Sequence, residues 1–117
     1  MFLEETLIKT LKFTQDLAQQ ILAGEKTSTW RLFDDKDLQE GDEIVFLNKE
    51  TNEKFGTAIV TSLHRKTLGS LEEADWIGHE RFSSEEEMCQ AFRKYYGDQV
   101  KPDTEVKILT FTFSALK

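Results

Sequence analysis

A short polar string near the amino terminus contains residue types that acyl-transfer chemistry uses. Residues 24–31 read GEKTSTWR, so Lys26 and Thr29 stand three positions apart after a glycine. A threonine hydroxyl can act as a nucleophile, and a lysine amine can act as a base when burial keeps it neutral. The alternative is a surface lysine beside a threonine that simply favours strand formation. Residue types alone leave both interpretations open.

A second group of candidate residues lies in the irregular segment 69–82, where Asp75, Trp76, His79 and Glu80 are crowded together. A glutamate can protonate a leaving nitrogen if burial keeps its carboxyl group protonated. Trp76 and His79 are placed beside Glu80 and could line a cleft, although His79 could equally stabilise its own loop. Trp30 should point away from Thr29 by strand alternation, so we interpret it as structural.

Other kinds of site find little support in the sequence. The two histidines, His64 and His79, are far apart and have no third ligand at a diagnostic spacing, and the six glycines are scattered singly. Cys89 falls on the apolar side of a predicted helix, which favours an inert buried thiol over a nucleophile. The acidic string DDKD at 34–37 lacks the spacing of a calcium loop and favours a solvated loop. We therefore expect no metal and no cofactor.

Composition limits the class of protein and of partner. The 117 residues, 38% hydrophobic and 32% charged, predict a single globular domain over residues 1–117. A formal charge of −7 argues against tight nonspecific binding to long nucleic acid, but not against binding a nucleoside. No apolar run approaches the ~20 residues that span a bilayer, so we expect no membrane partner. The acidic amino terminus and single cysteine predict a cytoplasmic protein, which we expect to be a monomer.

The hydrophobic pattern predicts five strands and two helices. A first helix should begin after the N-cap Thr14 and end at Gly24, and a second should begin after Ser84 and end at Gly97. Strands are predicted at 7–13, 27–32, 43–48, 55–66 and 105–113. Most connections are too short for crossovers between parallel strands. The predicted fold class is therefore α+β: a small mixed-strand β-barrel flanked by two or three helices.

The sequence also resembles a known family. ILAGEKTSTWR at 21–31, LQEGDEIVF at 38–46 and VKILTFTF at 106–113 together resemble the ASCH domain of the PUA-like superfamily. The mark of that family is a GxKTxTxR turn followed by GD before the next strand. Both are present, the first as GEKTSTWR at 24–31 and the second as Gly41-Asp42. The resemblance runs from about Ile8 to Phe113 and implies a small β-barrel with a cleft at its side.

Among ASCH domains, the chain is most similar to short bacterial enzymes that hydrolyse N4-acetylcytidine to cytidine and acetate. The resemblance implies that Thr29 is the nucleophile, Lys26 the base and Glu80 the acid that protonates the leaving amine. Residues 85–87 are poorer candidates for the acid, because they begin a helix and support its dipole. Arg31 could hold the developing oxyanion, or could equally pair with an acidic residue across the barrel. With Arg31, Trp76 and His79 are the expected substrate-binding residues.

These observations lead to an amidohydrolase that acts without a metal on N4-acylated cytosine nucleosides. The competing class is a noncatalytic RNA-binding module or weak ribonuclease of the ASCH type, which the net charge disfavours. A small-ligand sensor that uses the same pocket is a third interpretation, and it would bind tightly without turnover.

Overall fold

The computed structural model describes residues 9–34, 36–79 and 81–116 of the chain. Two helices are present in these ranges, α1 (Gln15–Leu22) and α2 (Glu85–Tyr96). The strands are β1 (Lys9–Phe13), β2 (Ser28–Leu32), β3 (Glu43–Asn48), β4 (Lys54–Thr67) and β5 (Glu105–Ala115). Two short 3-10 turns, at Leu68–Ser70 and Glu73–Trp76, occupy the segment that the sequence predicts to be irregular. No helix in this part of the chain has the length and apolar composition needed to cross a membrane.

The five strands form one mixed sheet in the order β1-β3-β4-β5-β2. The pair β1–β3 is parallel, and the pairs β3–β4, β4–β5 and β2–β5 are antiparallel. The sheet curls into a half-barrel with β1 and β2 at its edges, which confirms the predicted α+β fold with flanking helices. The guanidinium of Arg31 on β2 connects these edges, because Nη2 donates to Lys12 O at 3.3 Å and the group lies 4.9 Å from the Phe13 ring centroid.

Each face of the sheet packs against its own hydrophobic cluster. The inner cluster fills the concave side beneath α1 and consists of Leu11, Phe13, Ile21, Leu38, Ile44, Phe46, Ala58, Val60, Leu109 and Phe111. The outer cluster lies between the sheet and α2 and consists of Trp30, Leu32, Leu68, Met88, Cys89, Phe92, Val100, Val106 and Ile108. The sequence of β5 predicts a change of buried face near Leu109, because Val106 and Ile108 alternate on one side and Phe111 and Phe113 on the other. The structure confirms it, since β5 contributes to both clusters. A register shift in β4 between Val60 and Ser62 accompanies that change.

Both helices begin where their capping residues predict. Thr14 Oγ1 accepts from Leu17 N at 3.5 Å, and Ser84 Oγ accepts from Glu87 N at 3.1 Å. Helical periodicity in the sequence places Leu22 on the apolar face of α1 and Tyr95 on that of α2. These two assignments are wrong, because Leu22 is 51% exposed and Tyr95 is 58% exposed. Each of these residues lies in the last turn of its helix.

The acidic loop after β2 is held by a buried ion pair that the sequence does not predict. Lys107 Nζ on β5 lies 2.7 Å from Asp34 Oδ2 and also donates to Leu38 O at 3.1 Å. Burial opposes ionisation of Asp34, but the hydrogen bonds from Lys107, from Leu38 N and from Lys36 N outweigh it and hold the pKa of that carboxyl below its usual value. Part of this acidic segment is therefore anchored in the fold instead of solvated.

Candidate functional site

The GEKTSTWR segment forms a tight turn between α1 and β2. Gly24 has a φ of +79°, a backbone conformation that glycine adopts without strain. The backbone N–H groups of Glu25 and Lys26 both donate to Gln20 O, at 2.9 and 3.2 Å. These bonds turn the chain back under the helix, and the Lys26 side chain is only 2% exposed. The alternative of a surface lysine is therefore wrong.

Strand β2 presents its side chains alternately to the two faces of the sheet, as the sequence predicts. Thr29 pairs with Leu109 of the inner cluster and is 5% exposed, and Arg31 extends from the same face toward β1. Trp30 pairs with Ile108 of the outer cluster, which confirms its interpretation as a structural residue. Arg31 also lines a cleft of about 520 Å³, whose lining includes Arg65, Lys107, Asp34 and Glu105.

The loop after the second 3-10 turn packs directly against the candidate turn. Gly78 O accepts hydrogen bonds from Thr27 N at 3.0 Å and from Ser28 N at 3.1 Å, and Ser28 Oγ donates to Ile77 O at 3.2 Å. Gly78 has a φ of +75°, and a Cβ at this position would overlap Thr27 Oγ1. Glycine at this position therefore adopts the positive φ without strain and leaves room for the Thr27 side chain. The two segments that the sequence marks as functional are therefore joined by their backbones.

Trp76 and His79 pack together on Trp30 on the outer side of the sheet. The His79 ring stacks on the Trp30 indole with centroids 4.0 Å apart and planes 16° apart, and the Trp76 ring lies 4.6 Å from the same indole. Both side chains are half-buried. Two of the predicted substrate-binding residues are thus brought together, whereas Arg31, the third, projects from the opposite face of β2.

Glu80, the predicted acid, lies outside the described residues. The neighbouring residues are described: His79 stacks on Trp30, and Arg81 forms an exposed ion pair with Glu73 at 2.6 Å. The loop that precedes position 80 is also anchored to β4, because Lys66 Nζ lies 2.7 Å from Asp75 Oδ2. Burial raises the pKa of Asp75, but the bonds from Lys66 and Glu72 N outweigh it and the net pKa is below the usual value. Asp75 therefore stays ionised near neutral pH.

A cleft of about 300 Å³ opens beside the junction of turn and loop. It lies on the outer face of the sheet and spans β2, β5 and β4. Its lining residues are Thr27, Ser28, Ser62, His64, Ala74, Asp75, Ile77, Ile108 and Thr110. Sequence reasoning did not assign Ser62, His64 or Thr110 to a site. Alternation within β4 and β5 places each of them on one face, but only the register between the strands shows that they meet.

Within the described residues, no group of three or more His, Cys, Asp or Glu side chains is arranged to hold a metal ion. Cys89 is buried in the outer cluster at 3% exposure, where burial raises the pKa of its thiol. A raised pKa suppresses the thiolate, so the interpretation of Cys89 as an inert structural residue is supported.

Comparison with known proteins identifies the fold. No protein-family model and no curated protein matches the chain. Among solved structures, an Enterococcus faecalis V583 protein of the DUF984 family model superimposes with a TM-score of 0.76 at 18% identity, covering 97% of this chain and 84% of its own. The ASCH domain from Lactobacillus crispatus JV V101 gives a TM-score of 0.61 at 20% identity, covering 82% of this chain and 69% of its own. ASCH from Zymomonas mobilis gives 0.63 at 12% identity, covering 88% of this chain and 65% of its own. The chain thus has the curled, mixed-strand fold of ASCH and PUA-like domains.

Proposed function

We propose that the chain is a member of the ASCH family that hydrolyses the N4-acyl amide of acylated cytosine nucleosides, converting N4-acetylcytidine to cytidine and acetate. The observation that carries this proposal is the burial of Lys26 at the turn, with Thr29 following three residues later in a strand. A long, hydrophilic lysine side chain is rarely buried without a reason. Removal from water is also the condition under which a lysine exchanges its proton near neutral pH.

In the proposed acylation step, Thr29, Lys26 and Glu80 each act once. Thr29 Oγ forms a bond to the acyl carbon as Lys26 accepts the hydroxyl proton, and the bond from that carbon to the exocyclic nitrogen breaks. Glu80 delivers a proton to the departing nitrogen, so cytidine leaves neutral. The ionised Glu80 then takes a proton from the water that attacks the acyl-threonine ester, the bond from the acyl carbon to Thr29 Oγ breaks, and Lys26 returns its proton to Thr29. Acetic acid is released and ionises to acetate in solvent. No metal or cofactor enters this sequence.

The junction between turn and loop supports the assignment of Glu80 as the acid. Gly78 O binds the N–H groups of Thr27 and Ser28, so the chain two residues before position 80 is fixed to the Lys26 turn. By contrast, Glu87 N is capped by Ser84 Oγ in the first turn of α2, where an acidic residue stabilises the helix. Residues 85–87 therefore have a structural role at the start of the helix.

The test is turnover of N4-acetylcytidine by the purified protein, followed by the ultraviolet spectrum as cytidine forms. We expect activity that EDTA does not remove. Glu80→Gln should lower kcat by roughly 10²–10⁴-fold, the usual worth of general acid–base catalysis. The matched control Glu86→Gln should leave kcat near the parent value. Equal losses in the two variants would show that the acid is misassigned.

Two results would contradict the proposed function as a whole. Absence of turnover together with tight, salt-dependent binding of RNA would establish the RNA-binding alternative. Tight binding of the nucleoside without turnover would establish a small-ligand sensor.

A further inference from the structure

The cleft of about 520 Å³ that Arg31 lines is separate from the candidate turn, because neither Lys26 nor Thr29 lines it. Small-molecule sites span about 300–1,000 Å³, so the cleft has room for a small ligand. Its described lining carries three cationic side chains and three carboxylates, in a chain whose formal charge is −7. An anionic group therefore meets less repulsion in this cleft than over the acidic surface as a whole.

A row of cationic residues crosses β2, β5 and β4 in this cleft. Arg31 pairs with Lys107, and Lys107 pairs with Arg65, so the three residues share one face of the sheet. Lys107 is already neutralised by Asp34, at 2.7 Å. Within the described ranges, no ion pair or hydrogen bond engages the exposed Arg65 side chain. Its guanidinium can therefore bind a phosphate, with Arg31 two strands and about 10 Å away along the same row.

Phe33 exposes its ring in the same cleft despite a strained backbone. The residue is 50% exposed, its φ is +51°, and its ring rests against Tyr96 with centroids 5.9 Å apart. A bulky side chain rarely adopts this left-handed conformation, which glycine or asparagine adopts with less strain. The turn brings Asp34 to Lys107 and to Leu38 N, and this purpose does not require an aromatic residue. The exposed ring therefore points to a ligand with a planar group that stacks on it.

Two exposed carboxylates also line the cleft. The hydrogen bond that Gln39 Nε2 donates to the Asp37 carboxylate goes to Oδ2, at 2.9 Å, which leaves Oδ1 able to accept from a ligand. Glu105 on β5 has no side-chain partner among the residues that the structure describes. Carboxylate oxygens accept hydrogen bonds from sugar hydroxyl groups. A ligand that joins a planar ring, hydroxyl groups and a phosphate would use every part of this lining, whereas a simple anion would not.

We propose that this cleft binds a mononucleotide, as a second ligand separate from the substrate of the amide chemistry. The base stacks on Phe33, the phosphate binds Arg65 with Arg31 beside it, and Asp37 and Glu105 accept hydrogen bonds from the ribose hydroxyl groups. Stacking on a ring does not read the edge of the base, so the site accepts more than one base. The assignment concerns binding alone and does not depend on the amidohydrolase activity.

The test measures binding of AMP, adenosine and inorganic phosphate to the protein by isothermal titration calorimetry. AMP is used because its base is not cytosine, so a site for N4-acylated cytosine does not contribute. AMP should bind roughly 10- to 150-fold more tightly than adenosine, the worth of a hydrogen bond to a charged group. Arg65→Met should remove most of that difference. Arg81→Met is the matched control and should retain it, since Arg81 is an exposed arginine that does not line the cleft.

The contribution of the ring is tested separately. Phe33→Ala should weaken binding of AMP and of adenosine alike, by roughly 5- to 150-fold, the worth of stacking one base on an aromatic side chain. Tyr95→Ala is the matched control, because Tyr95 is 58% exposed and lies outside the cleft lining. Urea unfolding of each variant would verify that the changes at these exposed positions leave the protein folded.

Three results would overturn the nucleotide site. They are AMP that binds no more tightly than adenosine, inorganic phosphate that binds as tightly as AMP, and an Arg65→Met variant with the affinity of the parent. An RNA oligonucleotide that binds tightly to a protein that does not bind AMP would replace the proposal with an RNA-binding surface. Each result is read whether or not N4-acetylcytidine is turned over, so failure of this site and failure of the proposed function are distinguishable.

Discussion

The close approach of Gly78 to the candidate turn gives a quantitative prediction. Gly78→Ala adds a single methyl group where the structure leaves no space for it. The new Cβ would overlap Thr27 Oγ1 and lie 3.2 Å from Thr27 Cβ and 3.4 Å from Ser28 N. The variant therefore strains the contact between loop and turn without removing any residue assigned to the reaction.

The expected cost has two parts. An alanine at a φ of +75° carries the penalty of the left-handed conformation, about 1–2 kcal/mol. Overpacking against the Thr27 side chain adds roughly 1–3 kcal/mol. Gly41→Ala is the matched control, since Gly41 has a φ of +87° and, its chain neighbours aside, no described atom lies within 4 Å of the place that an alanine methyl group would occupy. Gly41→Ala should therefore cost the first part alone.

The measurement is urea unfolding of the parent and both variants, followed by kcat/KM for N4-acetylcytidine below the unfolding transition. Gly78→Ala should lose more stability than Gly41→Ala and should also lose activity, because the strained loop precedes Glu80. Adding Thr27→Ala to Gly78→Ala removes the overlapping hydroxyl and should recover part of the difference, as expected for coupled neighbours. If Gly78→Ala and Gly41→Ala are equally stable, the Gly78–Thr27 contact does not constrain the fold and the reasoning fails.

Three further outcomes are expected. Thr29→Ser should retain substantial turnover, whereas Thr29→Ala should lose about as much turnover as Lys26→Ala. The double alanine variant should be little worse than either single variant, since base and nucleophile act as one unit. A Thr29→Ala variant with near-normal kcat would eliminate Thr29 as the nucleophile. Because the folded-state pKa of Asp34 is lowered, its stabilising effect is present above the unfolded pKa of about 4 and is lost as pH falls through the folded value. Asp34→Asn, which leaves Lys107 without its carboxylate, should lower stability at neutral pH and flatten that acid limb, as acid titration of the unfolding free energy would show. The buried Cys89 thiol should react with iodoacetamide far more slowly in the native protein than in urea, and equal rates would show that the outer cluster opens readily.

Local signals in the sequence determined most of the secondary structure. Thr14 and Ser84 mark the starts of both helices, because a side-chain oxygen next to free backbone N–H groups acts within one turn. Alternation in β2 correctly assigned Thr29 and Trp30 to opposite faces. These features depend on neighbours a few residues apart, so the order of residues is enough to predict them.

Tertiary structure decided which of these elements meet. The register of β2, β5 and β4 places Ser28, Thr110 and Ser62 in one row, and no local pattern specifies that register. Contact between Gly78 and Thr27 likewise joins segments about fifty residues apart in the chain. The sequence alone indicated which residues could carry chemistry. Burial of Lys26 and the shape of the cleft arise only when distant segments pack, because exclusion of water is a property of the whole fold.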